Sequence, residues 1–273
     1  MKTVPFIKMD GLGNDFVIID NRNGYTSLTA QDVVRMGNRK TGVGFDQMIL
    51  IEPSDKAFAR MKIYNADGSF AGACGNGTRC VAKLLMDETE KTSLALEAPD
   101  GKILKAFRES PSALVTVNMG KPRLSWDEIP LAEETDTLSL NGIHDELPPP
   151  VAVSMGNPHA VFFVDDVENT DIARLGPQVE NHPLFPQRTN VEFVQVIRPD
   201  LLRMRVWERG TGVTMACGTG ACATLVAAVR RGLSTGKAEI RMDGGSLFVE
   251  WENNIDILMT GDTHCSFSGT AFL

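Results

Sequence analysis

Residues 72–77 read GACGNG, and residues 215–220 read MACGTG. Both stretches contain Ala-Cys-Gly-x-Gly, and their cysteines, Cys74 and Cys217, lie 143 positions apart. Four shared residues are weak support for a relationship on their own. The same offset relates further pairs along the chain, however, and an internal repeat of this kind decides how the fold is built.

The offset of 143 positions is kept without a gap over most of the chain. It carries Gly13-Asn14 onto Gly156-Asn157, Gln47 onto Asn190, Asn65 onto Glu208, and Asp100-Gly101 onto Asp243-Gly244. We therefore predict a duplication with two pseudosymmetric domains and a boundary near residues 119–120. Each domain supplies one cysteine segment, and we expect the active site in the interdomain cleft, because such clefts are preferred ligand sites.

Each half has the pattern of short strands and one central helix. The apolar runs at residues 16–19 and 160–164 have the length of buried strands. The Asp-Gly pairs at 100–101 and 243–244 each separate two apolar segments and predict two hairpins. Helical spacing follows each cysteine, and Gly232 suits the end of the second helix. The acidic stretch 127–136 and Pro148–Pro150 lie between the two repeats. We predict that they connect the domains and do not belong to a hydrophobic core.

Composition narrows the class of protein. The chain has 273 residues, a formal charge of −8 and a pI near 5.1, which argue against a nucleic-acid partner. No apolar run reaches the length of a membrane span, and the N-terminal residues show no signal peptide, so we expect a cytoplasmic location. The five cysteines are an odd number and are predicted to be thiols in a reducing compartment.

Cys74 and Cys217 are suited to acid–base chemistry because each precedes a predicted helix. A helix N-terminus lowers the pKa of a thiol, and the nearby N–H groups of Gly75-Asn76 and Gly218-Thr219 can bind a carboxylate. With an amino acid held there, one thiolate removes the α-proton while the other thiol protonates the opposite face. The carbanion is stabilised by the same N–H groups. This inversion needs no cofactor.

Charged and neutral polar residues recur at the offset. Most are amides, whereas Glu208-Arg209 adds both signs of charge and suits a second ammonium and carboxylate group. Arginine binds carboxylates through two parallel hydrogen bonds, so Arg209 is predicted to hold a carboxylate away from the reacting centre.

Less specific interpretations remain for several residues. Cys80 and Cys222 lie on apolar helical segments and are predicted to be buried structural thiols. The spacings Cys74-x5-Cys80 and Cys217-x4-Cys222 fit zinc poorly, so no metal is predicted. The offset partner of His159 is Phe16, which leaves an ordinary loop histidine as the alternative.

At these motifs the sequence resembles the diaminopimelate epimerase family. The resemblance covers FIKMDGLGNDF at 6–16, GVGFDQ at 42–47, YNADGS at 64–69, CGNGTRC at 74–80, GNPH at 156–159, ERGTG at 208–212 and ACGTGA at 216–221. It implies a cofactor-independent epimerase of LL- and meso-2,6-diaminopimelate, in lysine and peptidoglycan-precursor biosynthesis. It also implies an α/β (α+β) fold in which each domain is a curled, mostly antiparallel sheet around a central helix. The C-terminal strand returns to the first domain, so the domains are 1–119 with 263–273, and 120–262.

The resemblance also implies roles for individual residues. Cys74 and Cys217 are the acid/base pair, and His159 and Glu208 tune the pKa of the cysteines. The substrate contacts are Asn14, Gln47, Asn65, Gly75, Asn76, Asn157, Asn190, Glu208, Arg209, Gly218 and Thr219. The partner is a small diamino dicarboxylate, and a homodimer is expected, although Ser266 stands where the family tends to carry a tyrosine at its dimer contact.

Three other functions compete with the epimerase. A two-cysteine racemase of proline or hydroxyproline would not use the charges of Glu208-Arg209. A redox protein that pairs Cys74 with Cys217 would not need the duplicated amides. A non-catalytic amino-acid binding protein would not need two thiols.

Overall fold

A computed structural model describes residues 3–72, 74–252 and 255–273. The chain divides into two compact units, Met1–Asn118 with Gly261–Leu273, and Met119–Thr260. These bounds lie within two residues of the predicted domains. Each unit is described by itself below.

The first unit is an open sheet with two helices. Its elements begin with β1 (Thr3–Gly11), β2 (Asn14–Asp20), α1 (Ala30–Gly37), β3 (Gln47–Glu52), β4 (Ala59–Asn65), α2 (Gly75–Thr89), β5 (Ser93–Glu97), β6 (Ile103–Phe107) and β7 (Val115–Gly120). Neighbours in the chain are also neighbours in the sheet from β1 to β7. The pairs β2–β3 and β4–β5 are parallel, and the others are antiparallel. The predicted hairpin at residues 100–101 is confirmed as β5–β6.

The second unit repeats this plan. Its elements are β8 (Val151–Ser154), β9 (Pro158–Phe163), α3 (Ile172–Glu180), β10 (Asn190–Arg198), β11 (Leu201–Glu208), β12 (Gly212–Thr214), α4 (Gly218–Arg230), β13 (Lys237–Met242), β14 (Gly245–Glu250) and β15 (Ile257–Gly261). The sheet order is β15-β14-β13-β11-β10-β9-β8, with β12 beside β11. The pairs β9–β10 and β11–β13 are parallel, as β2–β3 and β4–β5 are in the first unit. The second predicted hairpin is confirmed as β13–β14.

The strand register repeats at the same offset. Phe16 pairs with Gln47 between β2 and β3, and His159 pairs with Asn190 between β9 and β10. Positions 16 and 159, and positions 47 and 190, are related by the 143-residue offset. The duplication predicted from sequence is therefore present in the strand pairing of each unit.

The last strand of the chain, β16 (His264–Phe272), belongs to the first unit. It pairs antiparallel with β1 from Thr3 opposite Phe272 to Asp10 opposite His264. Most of its side chains are exposed, on both faces of the strand.

Each unit surrounds one central helix. α4 is mostly apolar and packs against strands from β8 to β14 in the open sheet of the second unit. It ends where Gly232 adopts φ 71°, the left-handed conformation that glycine supplies at a helix end. α2 packs in the same way against β1, β2, β5 and β6 of the first unit. None of the helices in the described ranges is long and apolar enough to cross a membrane.

The prediction that the acidic stretch 127–136 is connection rather than core is wrong. Residues 121–150 form turns and a β-bridge from Arg123 to Ser154. Ile129 and Leu131 nevertheless lie in the hydrophobic core of the second unit, and Leu140 and Ile143 join them further along the segment. Isolated apolar residues between charged ones anchor such a segment without a helical or strand period, so the pattern did not reveal them.

Candidate active site

The two cysteines are the N-cap residues of the central helices. Cys74 precedes α2 with φ −127° and ψ 108°, and Cys217 precedes α4 with φ −130° and ψ 111°. Each sulfur accepts a hydrogen bond of 3.4 Å from the backbone N–H three residues later, which belongs to Gly77 or Gly220. This N–H and the helix dipole both favour a negatively charged group at the N-cap. The backbone therefore supports the thiolate form of both cysteines in the same way.

Close packing favours glycine at the position that donates to each sulfur. A Cβ at Gly77 would lie 2.6 Å from Cδ1 of Ile49, and a Cβ at Gly220 would lie 2.8 Å from Oε1 of Glu192. Both distances are too short for real contacts. The first turn of each helix is thus held against a neighbouring strand, which places the capping cysteine.

The first turns also supply the predicted carboxylate-binding groups. N–H groups in the first turn of an α-helix have no acceptor within the helix. In α2 they belong to Gly75 and Asn76, and in α4 to Gly218 and Thr219. The structure therefore places these four predicted residues beside the sulfurs, where a carboxylate would meet the positive end of the helix dipole.

In the first unit, Asn14 lies beside Cys74, with its side-chain oxygen 3.8 Å from the sulfur. Its amide nitrogen donates to Oδ2 of Asp46 at 3.0 Å, which sets the orientation of the side chain. Gln47 and Asn65 are cross-strand partners at the ends of β3 and β4, and Gln47 donates to Asn65 at 3.2 Å. The structure thus brings Asn14 to Cys74 and joins Gln47 to Asn65.

A network of charges supports Asn14 and was missed in the sequence. Arg39 donates to Oδ1 of Asp46 and to Oδ1 of Asp15, each at 2.7 Å, and Lys8 also donates to Asp15. Burial raises the pKa of Asp15, but the hydrogen bonds from Arg39 and Lys8 outweigh it and leave the pKa well below its ordinary value. Asp15 is therefore ionised. The sequence feature that could have indicated a role for Asp15 is its position directly after Asn14.

A buried arginine holds Asn76. Arg79 is fully buried and donates to Oδ1 of Asn76 at 2.9 Å. One residue further along, Cys80 is buried as predicted, and burial raises the pKa of its thiol to about 12. Cys222 on α4 is buried as well. Both cysteines are packing residues of the central helices.

In the second unit, polar side chains form a series that leads to Cys217. The Thr219 hydroxyl is 3.6 Å from the sulfur and accepts a hydrogen bond of 3.3 Å from Nδ2 of Asn157. Oδ1 of Asn157 is 3.1 Å from Nε2 of His159. The predicted residues Asn157, His159 and Thr219 are thus brought together with Cys217.

His159 makes a second contact that sequence reasoning missed. Its Nδ1 is 2.7 Å from Oε1 of Glu192, and both side chains are fully buried. Glu192 follows Val191 and precedes Phe193 and Val194 in β10, and these residues are all buried. A glutamate within an apolar strand segment is unusual, and this pattern could have indicated Glu192 as a functional residue.

Asn190 contacts the backbone of Arg209 and not its guanidinium. The backbone N–H of Arg209 donates to Oδ1 of Asn190 at 3.0 Å, and Nδ2 of Asn190 donates to the carbonyl of Pro158. The guanidinium of Arg209 donates to the carbonyl of Gln187. Asn190 therefore ties together the strand end and the turn that carries Arg209.

The turn after Arg209 is fixed by a further residue that the sequence did not indicate. Glu180, buried at the end of α3, accepts hydrogen bonds from the N–H of Gly210 at 2.8 Å and from Nε1 of Trp207 at 2.6 Å. Gly210 has φ 75°. This anchor holds the Trp207 side chain before Glu208 and the Gly210 backbone after Arg209.

Burial disfavours negative charge around Cys217. It raises the pKa of the Cys217 thiol well above its ordinary value, and the carboxylates of Glu208 and Glu192 add to this effect. Burial also raises the pKa of Glu208, although its hydrogen bond from Thr214 opposes the shift. Burial and the neighbouring carboxylates therefore favour the protonated thiol form of Cys217.

These features define a class of protein, a duplicated α/β fold in which each unit presents one N-capping cysteine at the start of a buried central helix. A family model described as diaminopimelate epimerase matches residues 6–125 and 151–265. The chain belongs to the diaminopimelate epimerase family. It is 49% identical to the diaminopimelate epimerase of Phenylobacterium zucineum, over 97% of this chain and 96% of the relative. It is 51% identical to that of Acidiphilium cryptum, over 97% of this chain and 95% of the relative.

Solved structures share the fold at much lower sequence identity. A hydroxyproline epimerase from Agrobacterium vitis aligns with a TM-score of 0.70 and 16% identity, over 98% of this chain and 92% of that one. A phenazine biosynthesis protein of the PhzF family from Bacillus anthracis aligns with a TM-score of 0.69 and 17% identity over the whole of both chains. The predicted fold class is confirmed, and the two-unit fold is common to proteins of different activities.

Proposed function

We propose that this protein interconverts LL- and meso-2,6-diaminopimelate, with Cys74 and Cys217 as its acid and base. The relatives that cover nearly the whole chain are diaminopimelate epimerases. The single structural observation that carries the proposal is the matched pair of N-capping cysteines, each bonded to the N–H of a glycine at 3.4 Å. A redox pair or a binding protein has no need of that geometry twice.

The proposed reaction is a proton exchange at one carbon. The Cys74 thiolate takes the α-proton and becomes a thiol, while the Cys217 thiol gives its proton to the opposite face and becomes a thiolate. The electron pair left on the carbon spreads into the substrate carboxylate, and the first-turn N–H groups of α2 and α4 stabilise the added charge. No bond to carbon other than C–H forms or breaks, so no cofactor is required. The reverse reaction exchanges the two roles.

The charged turn of the second unit suits the distal end of the substrate. Diaminopimelate carries a second ammonium and a second carboxylate, whereas proline and hydroxyproline do not. We assign the distal carboxylate to Arg209, whose turn is held by Asn190 and Glu180. Glu208 and the amides of Asn14, Gln47, Asn65 and Asn157 are assigned to the polar groups of the substrate.

The test is α-proton exchange. The reduced protein is incubated with LL-diaminopimelate in D2O, and loss of the α-proton signal and appearance of the meso form are followed by NMR. We expect both with the unaltered protein, and a fall of about 10³-fold or more in Cys74→Ala and Cys217→Ala variants, as for loss of an acid or base. Trans-4-hydroxy-L-proline is the control substrate. Turnover of hydroxyproline alone, or undiminished inversion in the doubly substituted protein, would contradict the proposal.

The distal-carboxylate assignment has its own test. We expect Arg209→Met to lower kcat/KM for LL-diaminopimelate by about 100-fold or more, because charge-assisted bidentate contacts are among the strongest hydrogen bonds. Arg198→Met is the matched control, since Arg198 is exposed and pairs with Asp200 away from the turn. Equal kinetics of the two variants would refute the role of Arg209.

Location and assembly complete the proposal. We propose a cytoplasmic location, because the mechanism requires reduced cysteines and the cytosol keeps thiols reduced. We also propose a homodimer that uses β16, whose exposed residues include Phe267 and Phe272. Exposed strand edges are commonly covered by a second chain. Light scattering of the purified protein tests the dimer, and a monomeric mass at micromolar concentration would exclude it.

A further inference from the structure

Glu192, the buried partner of His159, has no assigned place in the proton transfers proposed above. Glu192 is fully buried, and a carboxylate in that environment is costly unless it is paired. The offset-equivalent position in the first unit is Ile49, an apolar residue that also packs against the first helical turn. The fold therefore does not require a charge at this position, and the presence of one calls for another explanation.

A continuous series of contacts joins Glu192 to the sulfur of Cys217 within the second unit. Oε1 of Glu192 is 2.7 Å from Nδ1 of His159, and Nε2 of His159 is 3.1 Å from Oδ1 of Asn157. Nδ2 of Asn157 donates to the Thr219 hydroxyl at 3.3 Å, which lies 3.6 Å from the sulfur. Four contacts thus connect a buried charge with the reacting atom.

The donors and acceptors determine the protonation of this series. An ionised carboxylate and an amide oxygen can only accept hydrogen bonds. His159 faces the Glu192 carboxyl with one ring nitrogen and the Asn157 oxygen with the other. With Glu192 ionised, both contacts are acceptors, and both ring nitrogens carry protons. The charge of the resulting imidazolium is balanced by Glu192. Among the residues that the structure describes, Oε2 of Glu192 has no hydrogen-bond partner. The side-chain contact that can stabilise the charge of Glu192 is therefore the one between its Oε1 and His159.

The direction of the remaining contacts follows from His159. Because Oδ1 of Asn157 accepts from the ring, Nδ2 of Asn157 points to the Thr219 oxygen. That oxygen accepts from Asn157, which leaves the hydroxyl proton to be donated to the sulfur of Cys217. A hydroxyl held in this way stabilises the thiolate each time Cys217 has given up its proton.

We infer that Glu192 is a positioning residue for the proton transfers of Cys217. Its charge keeps His159 doubly protonated, and His159 in turn orients Asn157 and the Thr219 hydroxyl toward the sulfur. The inference rests on the proposed function, because it concerns the cysteine that exchanges the α-proton. Glu192 itself touches neither the sulfur nor the substrate in this scheme.

The first experiment separates binding from turnover. We expect Glu192→Gln to lower kcat by about tenfold or more with little change in KM for LL-diaminopimelate, since the lost interaction matters only as the thiolate forms. In a His159→Asn background the same substitution is expected to change kcat by less than about twofold, because coupled residues are not additive. Full additivity, or an unchanged kcat in Glu192→Gln, would overturn the inference.

The second experiment measures the protonation of the His159 ring nitrogens directly. The protein, labelled with 15N in its four histidines, is measured by NMR without substrate, and His159→Asn identifies the His159 signals. We expect two protonated ring nitrogens for His159, and one unprotonated nitrogen in Glu192→Gln. Glu180→Gln is the matched control, because Glu180 is a buried carboxylate of the same unit that contacts Trp207 and Gly210 instead. A neutral His159 ring in the unaltered protein would overturn the inference.

These outcomes can be told apart from failure of the proposed function. A protein that does not epimerise diaminopimelate contradicts the function, while the NMR result still decides the state of His159. If Glu192→Gln does not fold, Glu192→Asp replaces it. Aspartate keeps the charge but is shorter, so we expect a doubly protonated ring with kcat between those of the unaltered protein and His159→Asn. A kcat equal to that of the unaltered protein together with a neutral ring would overturn the inference.

Discussion

The two halves of the duplication share one backbone and differ in what lies behind the start of the central helix. Phe16 and Ile49 occupy, in the first unit, the positions of His159 and Glu192 in the second. All four side chains are fully buried, and the N-cap angles of Cys74 and Cys217 differ by only about three degrees. An apolar pair and an ionic pair thus support the same helix start. The difference shows that the geometry of the cap is independent of the chemistry behind it.

The asparagines at offset-equivalent positions, Asn14 and Asn157, are held by different means. Asn14 is fixed by Asp46, whose side chain is 44% exposed and is bonded to the 57% exposed Arg39. Asn157 is fixed by His159 and, behind it, by Glu192, which water does not reach. Solvent and salt screen exposed ion pairs much more than buried ones. We therefore expect the support of Asn14 to respond to ionic strength and the support of Asn157 not to.

The most severe test of the comparison gives the second unit the residues of the first. We expect the double variant His159→Phe, Glu192→Ile to lose about 100-fold in kcat, within the range for a lost acid–base contribution. Its free energy of unfolding should be unchanged or higher, because apolar replacement of a buried ion pair is neutral or stabilising by about 1–4 kcal/mol. Urea unfolding and NMR epimerisation measure the two quantities. An active double variant would show that the polar pair serves packing alone.

The buried thiols predict how stability changes at alkaline pH. Burial raises the pKa of Cys80 in the first unit to about 12, and also raises the pKa of Cys217 in the second. The native protein keeps protons that the unfolded chain releases above the ordinary thiol pKa near 9.0. The free energy of unfolding should therefore fall as pH rises above about 9, by about 1.4 kcal/mol per pH unit for each thiol that stays protonated in the native protein. The contribution of Cys80 ends near pH 12.

Alanine variants separate the two contributions. Cys80→Ala and Cys217→Ala should each remove about 1.4 kcal/mol per pH unit from this slope, whatever constant cost the substitution adds. Urea unfolding at several pH values above 8.5 measures the slope, with an exposed cysteine, Cys265→Ala, as the control. An unchanged slope in Cys217→Ala would contradict the buried, protonated state assigned to that thiol.

The smallest expected effect concerns the exposed support of Asn14. Asp46→Asn should lower kcat/KM by about threefold, in keeping with less than about 1 kcal/mol for an exposed ionic contact. Raising the ionic strength from about 0.05 to 0.5 M should lower kcat/KM of the unaltered protein by a similar factor and leave the variant unaffected. Asp200→Asn is the matched control, because it removes an exposed carboxylate of the second unit that pairs with Arg198. Equal salt dependence of all three proteins would contradict the claim that the exposed Asp46 contact supports Asn14.

The sequence predicted the parts of the molecule that the duplication repeats. The hairpins, the central helices and the position of Cys74 and Cys217 at the helix starts follow from patterns present in both halves. Glu192 escaped because its partner at the offset is Ile49, so the repeat gave no signal there. Asp46 and Glu180 escaped for another reason. They act through contacts between residues distant in the chain, and spacing alone cannot show which amide or N–H a carboxylate meets.

The pairing of β16 with β1 has a consequence for biosynthesis. β16 is translated after every residue of the second unit, yet its hydrogen-bond partner is the first strand of the chain. The second unit can bury its core, including the helix behind Cys217, as soon as its own residues leave the ribosome. In the first unit, the edge of β1 that pairs with β16 stays open until translation reaches the last strand. The half that is made first is therefore the half that is finished last.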